Sequence, residues 1–161
     1  QTGEVGFVFQ EPTLLPWATV WDNIYLPLRL AGKARSDVAD DIEAAIQRVG
    51  LDGFAQSYPR QLSGGMKMRV SVARALITRP RMLLMDEPSA GLSPRIVQEM
   101  VAAIRRLHER GLTILLVEQN VGVAGALADT AYVLANGEIA FSTDGAELAT
   151  NPDVLRSYLG R

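Results

Sequence analysis

Arg81-Met82-Leu83-Leu84-Met85-Asp86-Glu87-Pro88 is the stretch on which the fold turns. Four apolar residues in a row, running directly into two carboxylates, have the pattern of a strand buried on both faces, as in the interior of a parallel sheet. Two adjacent carboxylates at the end of such a strand repel each other, and holding them near a dry core is costly unless a cation or hydrogen-bond donors compensate. Ligands of open α/β sheets sit beyond the C-terminal ends of the strands. A divalent cation carrying nucleotide phosphates would meet the charge, with Asp86 on Mg²⁺ and Glu87 orienting or deprotonating a water. Taken alone, Asp-Glu-Pro is more often an ordinary surface turn after a strand.

Downstream of this strand, Ser93 and Pro94 form an N-cap and N1 pair for a helix that carries Ile96, Val97, Met100, Ile104 and Leu107 inward and ends near Gly111. Leu112 to Val117 reads as a second buried strand, and Val121 to Ala128 as a short helix. Asn136-Gly137 turns a hairpin between Ala131–Leu134 and Glu138–Phe141. Thr143 to Leu159 reads as two short helices parted near Pro152. Upstream, Val5 to Gln10 is a strand, Glu11 to Pro16 a loop, and Thr19 to Leu30 a helix that Pro27 kinks or ends. Ser36 stands as N-cap of a helix carrying Val38 to Val49, with Gly50 as its stop. Pro59 to Gly65 is loop and Met66 to Ile77 helix. Strands alternating with helices imply an α/β fold with a largely parallel sheet.

Leu62-Ser63-Gly64-Gly65-Met66 opens the last of these upstream helices. A serine and two glycines leave backbone N–H groups free at the positive end of the helix dipole, which suits an anion. A tight turn with an ordinary serine N-cap accounts for the same residues.

The ordered set is more specific than either piece. Gln10 closing a strand, a helical insert, Leu62 to Met66 and then Arg81 to Glu87 together resemble the ATPases of ABC transporters over essentially the whole chain. Val8-Phe9-Gln10 is similar to the Q-loop, Leu62 to Met66 to the signature motif, Arg81 to Glu87 to the Walker B strand, and Ser89-Ala90-Gly91-Leu92 to the D-loop. The resemblance implies a three-layer α/β P-loop NTPase-like domain with a mostly parallel sheet. Its helical subdomain would span about residues 12–78 and the C-terminal part of its catalytic core about 79–161, the N-terminal part being missing. It implies ATP and Mg²⁺ as cofactors. By the same resemblance Glu87 is the catalytic base, Gln119 occupies the switch position, and Gln10 links the site to a membrane partner. Ser63, Gly64, Gly65 and Met66 would grip nucleotide, and Asp86 with Gln10 would attend the metal. The implied partners are a second ATPase subunit in a head-to-tail dimer and transmembrane permease subunits, whose coupling helix the helical insert would receive. A periplasmic or extracellular solute-binding protein would act indirectly. The implied location is peripheral, on the cytoplasmic face of the inner membrane.

Several residues depart from that pattern. No Gly-x-x-x-x-Gly-Lys-Ser/Thr occurs, and the chain opens on Gln1 rather than Met, both of which fit a start inside a longer frame. Without that loop the chain alone is expected neither to bind ATP tightly nor to hydrolyse it. A truncated, non-hydrolysing module that pairs with an intact subunit is the alternative. Gln119 stands where the family has histidine; glutamine donates a hydrogen bond to a γ-phosphate but carries no proton charge. The single histidine, His108, is expected to be solvated on the preceding helix, and Ser93 replaces the aspartate usual at the end of the D-loop. Phe7 to Leu30 and Ser63 to Leu76 look like importers of nitrate, sulfonates or taurine. Ser89 to Pro94, Val117 to Asn120 and Arg156 to Gly160 resemble the ATPases of branched-chain amino-acid importers.

Composition sets the remaining bounds. With 48% hydrophobic and 21% charged residues among 161, the chain has ordinary globular composition. A net charge of −2 gives no electrostatic case for nucleic acid as partner. The absence of cysteine excludes disulfides and thiolate metal sites. No stretch approaches the roughly 20 apolar residues that span a bilayer. Leu62 follows Gln10 by only 52 positions, without the long insertions of ABC proteins in DNA repair or translation.

Overall fold

Three strands, β1 (Val5–Val8), β2 (Met82–Asp86) and β3 (Thr113–Val117), form a parallel sheet in the order β1-β2-β3. They are seen in a computed structural model that describes residues 4–150. Val8 pairs with Met85, and Asp86 pairs with Val117, so all three strands release the chain at the same edge. Between β1 and β2 lie three helices, α1 (Val20–Leu30), α2 (Ala39–Arg48) and α3 (Gly64–Leu76). After β2 come α4 (Pro94–Glu109), α5 (Val121–Leu127) and a separate antiparallel hairpin of β4 (Ala131–Ala135) and β5 (Glu138–Thr143). The hairpin turns where the sequence places it: Asn136 (φ 52°) and Gly137 (φ 84°) both take the left-handed conformation that a two-residue turn requires. Of the two helices expected after Thr143, α6 (Gly145–Thr150) is present; the second lies outside the described residues, as does the Arg156–Gly160 stretch.

Two apolar clusters hold these elements. One lies within the helical region, where Trp21, Ile24, Ile42, Ile46, Leu51 and Val70 are almost wholly buried. Burial of each such side chain stabilises by about 1.5–3 kcal/mol. The other joins Val8, Leu83 and Met85 of the sheet to Met68 of α3 and Ile104 of α4, with Ile114 and Leu116 packed against it. α3 belongs to both clusters, through Val70 on one side and Met68 on the other, and so fixes the helical region against the sheet.

Several expectations need correction. β2 and β3 are not buried on both faces: along β3 every second residue is exposed, and Leu115 and Val117 are about half exposed. Among the described residues helices cover only one face, the one presenting Val8, Leu83, Met85 and Leu116. α4 buries only Ile104 fully, and Ile96, Val97, Met100 and Leu107 are half-buried. β1 ends at Val8, so Gln10 follows the strand by two residues instead of closing it. Pro27 does not end α1, which continues to Leu30. Proline removes its own N–H from the ladder and crowds the carbonyl four residues back, but one turn remains, Ala31 N–H still reaches the Pro27 carbonyl at 3.1 Å, and Leu28 anchors that turn on the core. Ser36 is not an N-cap; it sits inside a 3-10 turn, Arg35–Val38, and donates to Asp37 Oδ1 at 2.9 Å. That turn is pinned by Arg35, which lies 3.9 Å from the Trp21 ring centroid and 2.7 Å from Asp22 Oδ1. Ser93 holds the N-cap backbone position but makes no side-chain capping bond. His108 is exposed yet not unpartnered, since its Nε2 lies 3.1 Å from Asp129 Oδ2.

The uncovered face of the sheet carries Val5, Phe7, Phe9, Leu115 and Val117, all 42–50% exposed, and Phe7 stacks on Phe9. An apolar patch of this kind beside an open strand edge drives association. The purified 161-residue chain is therefore expected to run larger than a monomer in size-exclusion chromatography, and Phe7→Asp with Leu115→Asp to shift it toward monomer. A monomeric parent chain would contradict this.

Candidate functional site

The edge at which the parallel strands end gathers most of the residues singled out from the sequence. Gln10 lies two residues beyond β1, Asp86 ends β2, and Glu118 and Gln119 follow β3 directly. Glu87 takes a left-handed conformation (φ 42°), which costs a non-glycine residue about 1–2 kcal/mol. Its N–H donates to the Val117 carbonyl at 2.8 Å and its carbonyl accepts from Ala90 N–H at 3.0 Å, so the tight turn after β2 is tied to the end of β3. Gln119 then donates from Nε2 to Glu87 Oε1 at 2.5 Å. Strain held by its surroundings at a carboxylate is a feature of sites where chemistry is done. Asn120 caps α5, its Oδ1 accepting from Val123 N–H at 3.2 Å.

Asp86 is half-buried and makes no ion pair or side-chain hydrogen bond among the described residues. No group of three or more His, Asp and Glu residues able to enclose a metal occurs there either. This donor set fits a magnesium ion, which takes one or two carboxylates and fills its remaining positions with waters and substrate phosphates. Gln10 is exposed and makes no side-chain hydrogen bond among the described residues.

The Ser63–Met66 turn stands apart, with no hydrogen bond or ion pair to the acidic pair among the described residues. Ser63 is extended (φ −66°, ψ 163°) and caps α3 by accepting from Met66 N–H at 3.2 Å. The two glycines have different causes. A Cβ on Gly65 would lie 2.7 Å from Ile96 Cγ2, so the close approach of α3 to α4 requires a glycine there. A Cβ on Gly64 would meet nothing within 4 Å, so no packing among the described residues explains that residue.

Three further residues organise the site, and the sequence pattern signals none of them. Arg74 on α3 reaches the loop after Gln10, donating to the carbonyls of Pro12 (3.0 Å) and Thr13 (2.9 Å) and to Thr13 Oγ1 (3.0 Å). It thereby holds Thr13 in a left-handed conformation (φ 45°). Burial pushes its pKa down from the ordinary arginine value, and these three acceptors compensate the desolvated guanidinium. Asn23, fully buried, accepts from Leu15 N–H and donates to the carbonyls of Leu15, Ala18 and Thr19, closing the loop that leads from Gln10 into α1. Glu118 bridges two backbone amides beside Glu87. A polar residue at helical spacing, or a glutamate after a strand, gives no sequence signal of such a role. A cavity of about 810 Å³ between α2, α3 and α4 is lined by Gly65 and Ile96 but by none of the residues around Glu87.

Residues 1–90 match the family model described as ABC transporter. The chain belongs to the ABC transporter family. Among curated ABC proteins it is 36% identical over 160 residues to the methionine import ATP-binding protein MetN of Cupriavidus metallidurans, covering 98% of this chain and 46% of that protein. It is 35% identical over 161 residues to the glutamate transport ATP-binding protein GluA of Corynebacterium efficiens, covering 98% of this chain and 66% of that one. The chain thus spans about half to two-thirds of the length of these relatives. Solved ABC structures share its fold. A dimeric post-hydrolysis state of the ATP-binding cassette MJ0796, bound to ADP and Pi, superposes with a TM-score of 0.78 at 28% identity, covering 88% of this chain and 63% of that one. cbiO1 of Clostridium perfringens, part of the ABC transporter complex cbiONQ, gives 0.83 at 25% identity, covering 98% and 64%. The α/β, P-loop NTPase-like architecture is therefore that of an ABC ATPase. No helix among the described residues is long and apolar enough to cross a membrane.

Proposed function

We propose that this chain is part of the ATP-binding and ATP-hydrolysing subunit that energises solute import by an ABC transporter. The observation that carries the reading is the shared sheet edge, where parallel β1, β2 and β3 bring Gln10, Asp86–Glu87 and Gln119 to one side and Gln119 touches Glu87. Glu87 accepts the proton of the attacking water as general base, and Gln119 holds its carboxylate by a hydrogen bond while remaining uncharged. Asp86, with Gln10 at the same sheet edge, would hold Mg²⁺, which would supply neutralisation of phosphate charge. Gly64, whose side-chain direction is open, leaves room for a nucleotide presented by a second ATPase subunit in a head-to-tail dimer, gripped by Ser63, Gly64, Gly65 and Met66 at the α3 N-terminus. Permease subunits dock on the helical region, with a solute-binding protein acting through them, at the cytoplasmic face of the membrane. The relatives named above serve methionine and glutamate, neither of which is a solute suggested by the two sequence resemblances, so the proposal stops at a solute importer.

The test compares Mg²⁺-ATP turnover by the complete subunit, phosphate-binding loop included, with that of the 161-residue chain. The complete subunit is expected to hydrolyse ATP, and the chain alone to give no turnover. A complete subunit without ATPase activity would overturn the proposal, and turnover by the chain alone that Glu87→Gln abolishes would overturn the assignment of phosphate binding to a segment outside it.

A further inference from the structure

We propose that Glu118 is a positioning residue that sets the Glu87–Gln119 pair, an inference that rests on the catalytic reading of Glu87. Its carboxylate spans two loops: Oε1 accepts from Ser89 N–H at 3.0 Å, in the turn after β2, and Oε2 accepts from Asn120 N–H at 3.1 Å, at the start of α5. The residues between those anchors are the ones that meet. Glu87 lies two positions before Ser89, and Gln119 lies between Glu118 and Asn120. Glu118 is half-buried and Ser89 is buried, so the Ser89 N–H depends on this carboxylate for its partner.

The left-handed backbone of Glu87 gives the staple its purpose. A residue at φ 42° relaxes to an ordinary conformation unless both sides of its turn are held. On one side Glu87 N–H is fixed to the Val117 carbonyl at 2.8 Å. On the other, Ala90 N–H closes the turn on the Glu87 carbonyl at 3.0 Å, and the bond that ties this side to the loop after β3 is Ser89 N–H on Glu118. Charge-assisted bonds of this kind are roughly twice as strong as neutral ones, and one carboxylate serving both loops keeps their spacing constant. Loss of the staple frees the turn, moves the Glu87 carboxylate relative to the water it must deprotonate, and breaks its contact with Gln119. Glu118 touches no reacting atom; it acts through Glu87.

The test uses the complete subunit assembled with its permease, and reads kcat, ATP affinity by equilibrium binding, and the double variant. Glu118→Ala is expected to lower kcat on the order of 10- to 100-fold, the scale of a small misplacement of a reacting group, with ATP affinity unchanged. Glu118→Gln, which keeps one acceptor but turns an N–H toward the second amide, falls between the parent and Glu118→Ala; it also carries the test if Glu118→Ala fails to fold. Glu118→Ala added to Glu87→Gln lowers kcat no further, because its route runs through Glu87. An unchanged kcat in either single variant, or an additive loss in the double variant, overturns the inference. If Glu87→Gln alone leaves kcat intact, the catalytic reading itself has failed, and the two failures are told apart.

Discussion

Glu87→Gln in the complete subunit is expected to lower ATP turnover by about 10²–10⁴-fold, the contribution of a positioned general base, while nucleotide affinity stays near that of the parent. The substitution is close to isosteric. The introduced amide oxygen still accepts from Gln119 Nε2, and the turn keeps its bonds to Val117 and Ala90 through the backbone, so the geometry survives and only the basic oxygen is lost. A fall in kcat without a matching loss of binding is the signature of an interaction made in the transition state. Gln119 sharpens the expectation. A histidine in its place could share the proton, whereas glutamine's amide hydrogen-bonds but takes no charge at neutral pH, which leaves Glu87 as the only basic group in the pair. Gln119→Ala is expected to reduce turnover less than Glu87→Gln, since it removes orientation and not the base. Steady-state phosphate release and equilibrium nucleotide binding, measured on the same preparations, decide the matter; turnover unchanged in Glu87→Gln would exclude Glu87 as the base.

What can be read from the sequence follows from which interactions are local. The apolar run ending at Asp86 announces β2 and its position at a strand end, and Asn136-Gly137 announces the hairpin, because strand period and turn chemistry are written in adjacent residues. The α3 cap is equally legible, since Ser63 and Met66 are three residues apart. Burial of β3 is not legible, because Leu115 and Val117 are exposed or covered according to what lies over that face, which their own sequence does not encode. Glu118 and Arg74 escape notice for a related reason. The donor and acceptors that they reach lie 29 and about 60 residues away in the chain, and glutamate and arginine are so common on surfaces that neither stands out. Pro27 misleads in the opposite direction: proline's penalty is real, but one turn held by Leu28 on the core outweighs a single missing bond.

Asn23→Leu is the stability change with the largest expected effect, about 2–4 kcal/mol, because a buried donor or acceptor left without its partner costs about 1–3 kcal/mol. Asn23 is fully buried and makes four hydrogen bonds, at 2.8 Å from Leu15 N–H and at 3.2, 3.1 and 2.9 Å to the carbonyls of Leu15, Ala18 and Thr19. Leucine keeps the branched heavy-atom shape but is bulkier, so no cavity is left and the loss combines unpaired polar groups with some overpacking at a fully buried position. The Thr19 carbonyl keeps the backbone N–H of position 23 at 2.9 Å, while Leu15 N–H loses its side-chain acceptor. For a chain of this size that destabilisation lowers the unfolding midpoint by roughly 5–15 °C, readable by thermal melts of parent and variant side by side. Damage is expected first in the loop of residues 11–19, as protease nicking there under conditions that leave the sheet intact. That loop lies between Gln10 and the helical region proposed to receive the permease, and Arg74 pins only its first half, at Pro12 and Thr13. In the assembled transporter the variant should therefore keep much of its ATP turnover and lose solute uptake, since the residues around Glu87 are untouched while the connection from Gln10 to the docking surface is loosened. Equal losses of hydrolysis and uptake would show that the loop serves the catalytic edge directly, and an unchanged melting temperature would show that water replaces the lost partners.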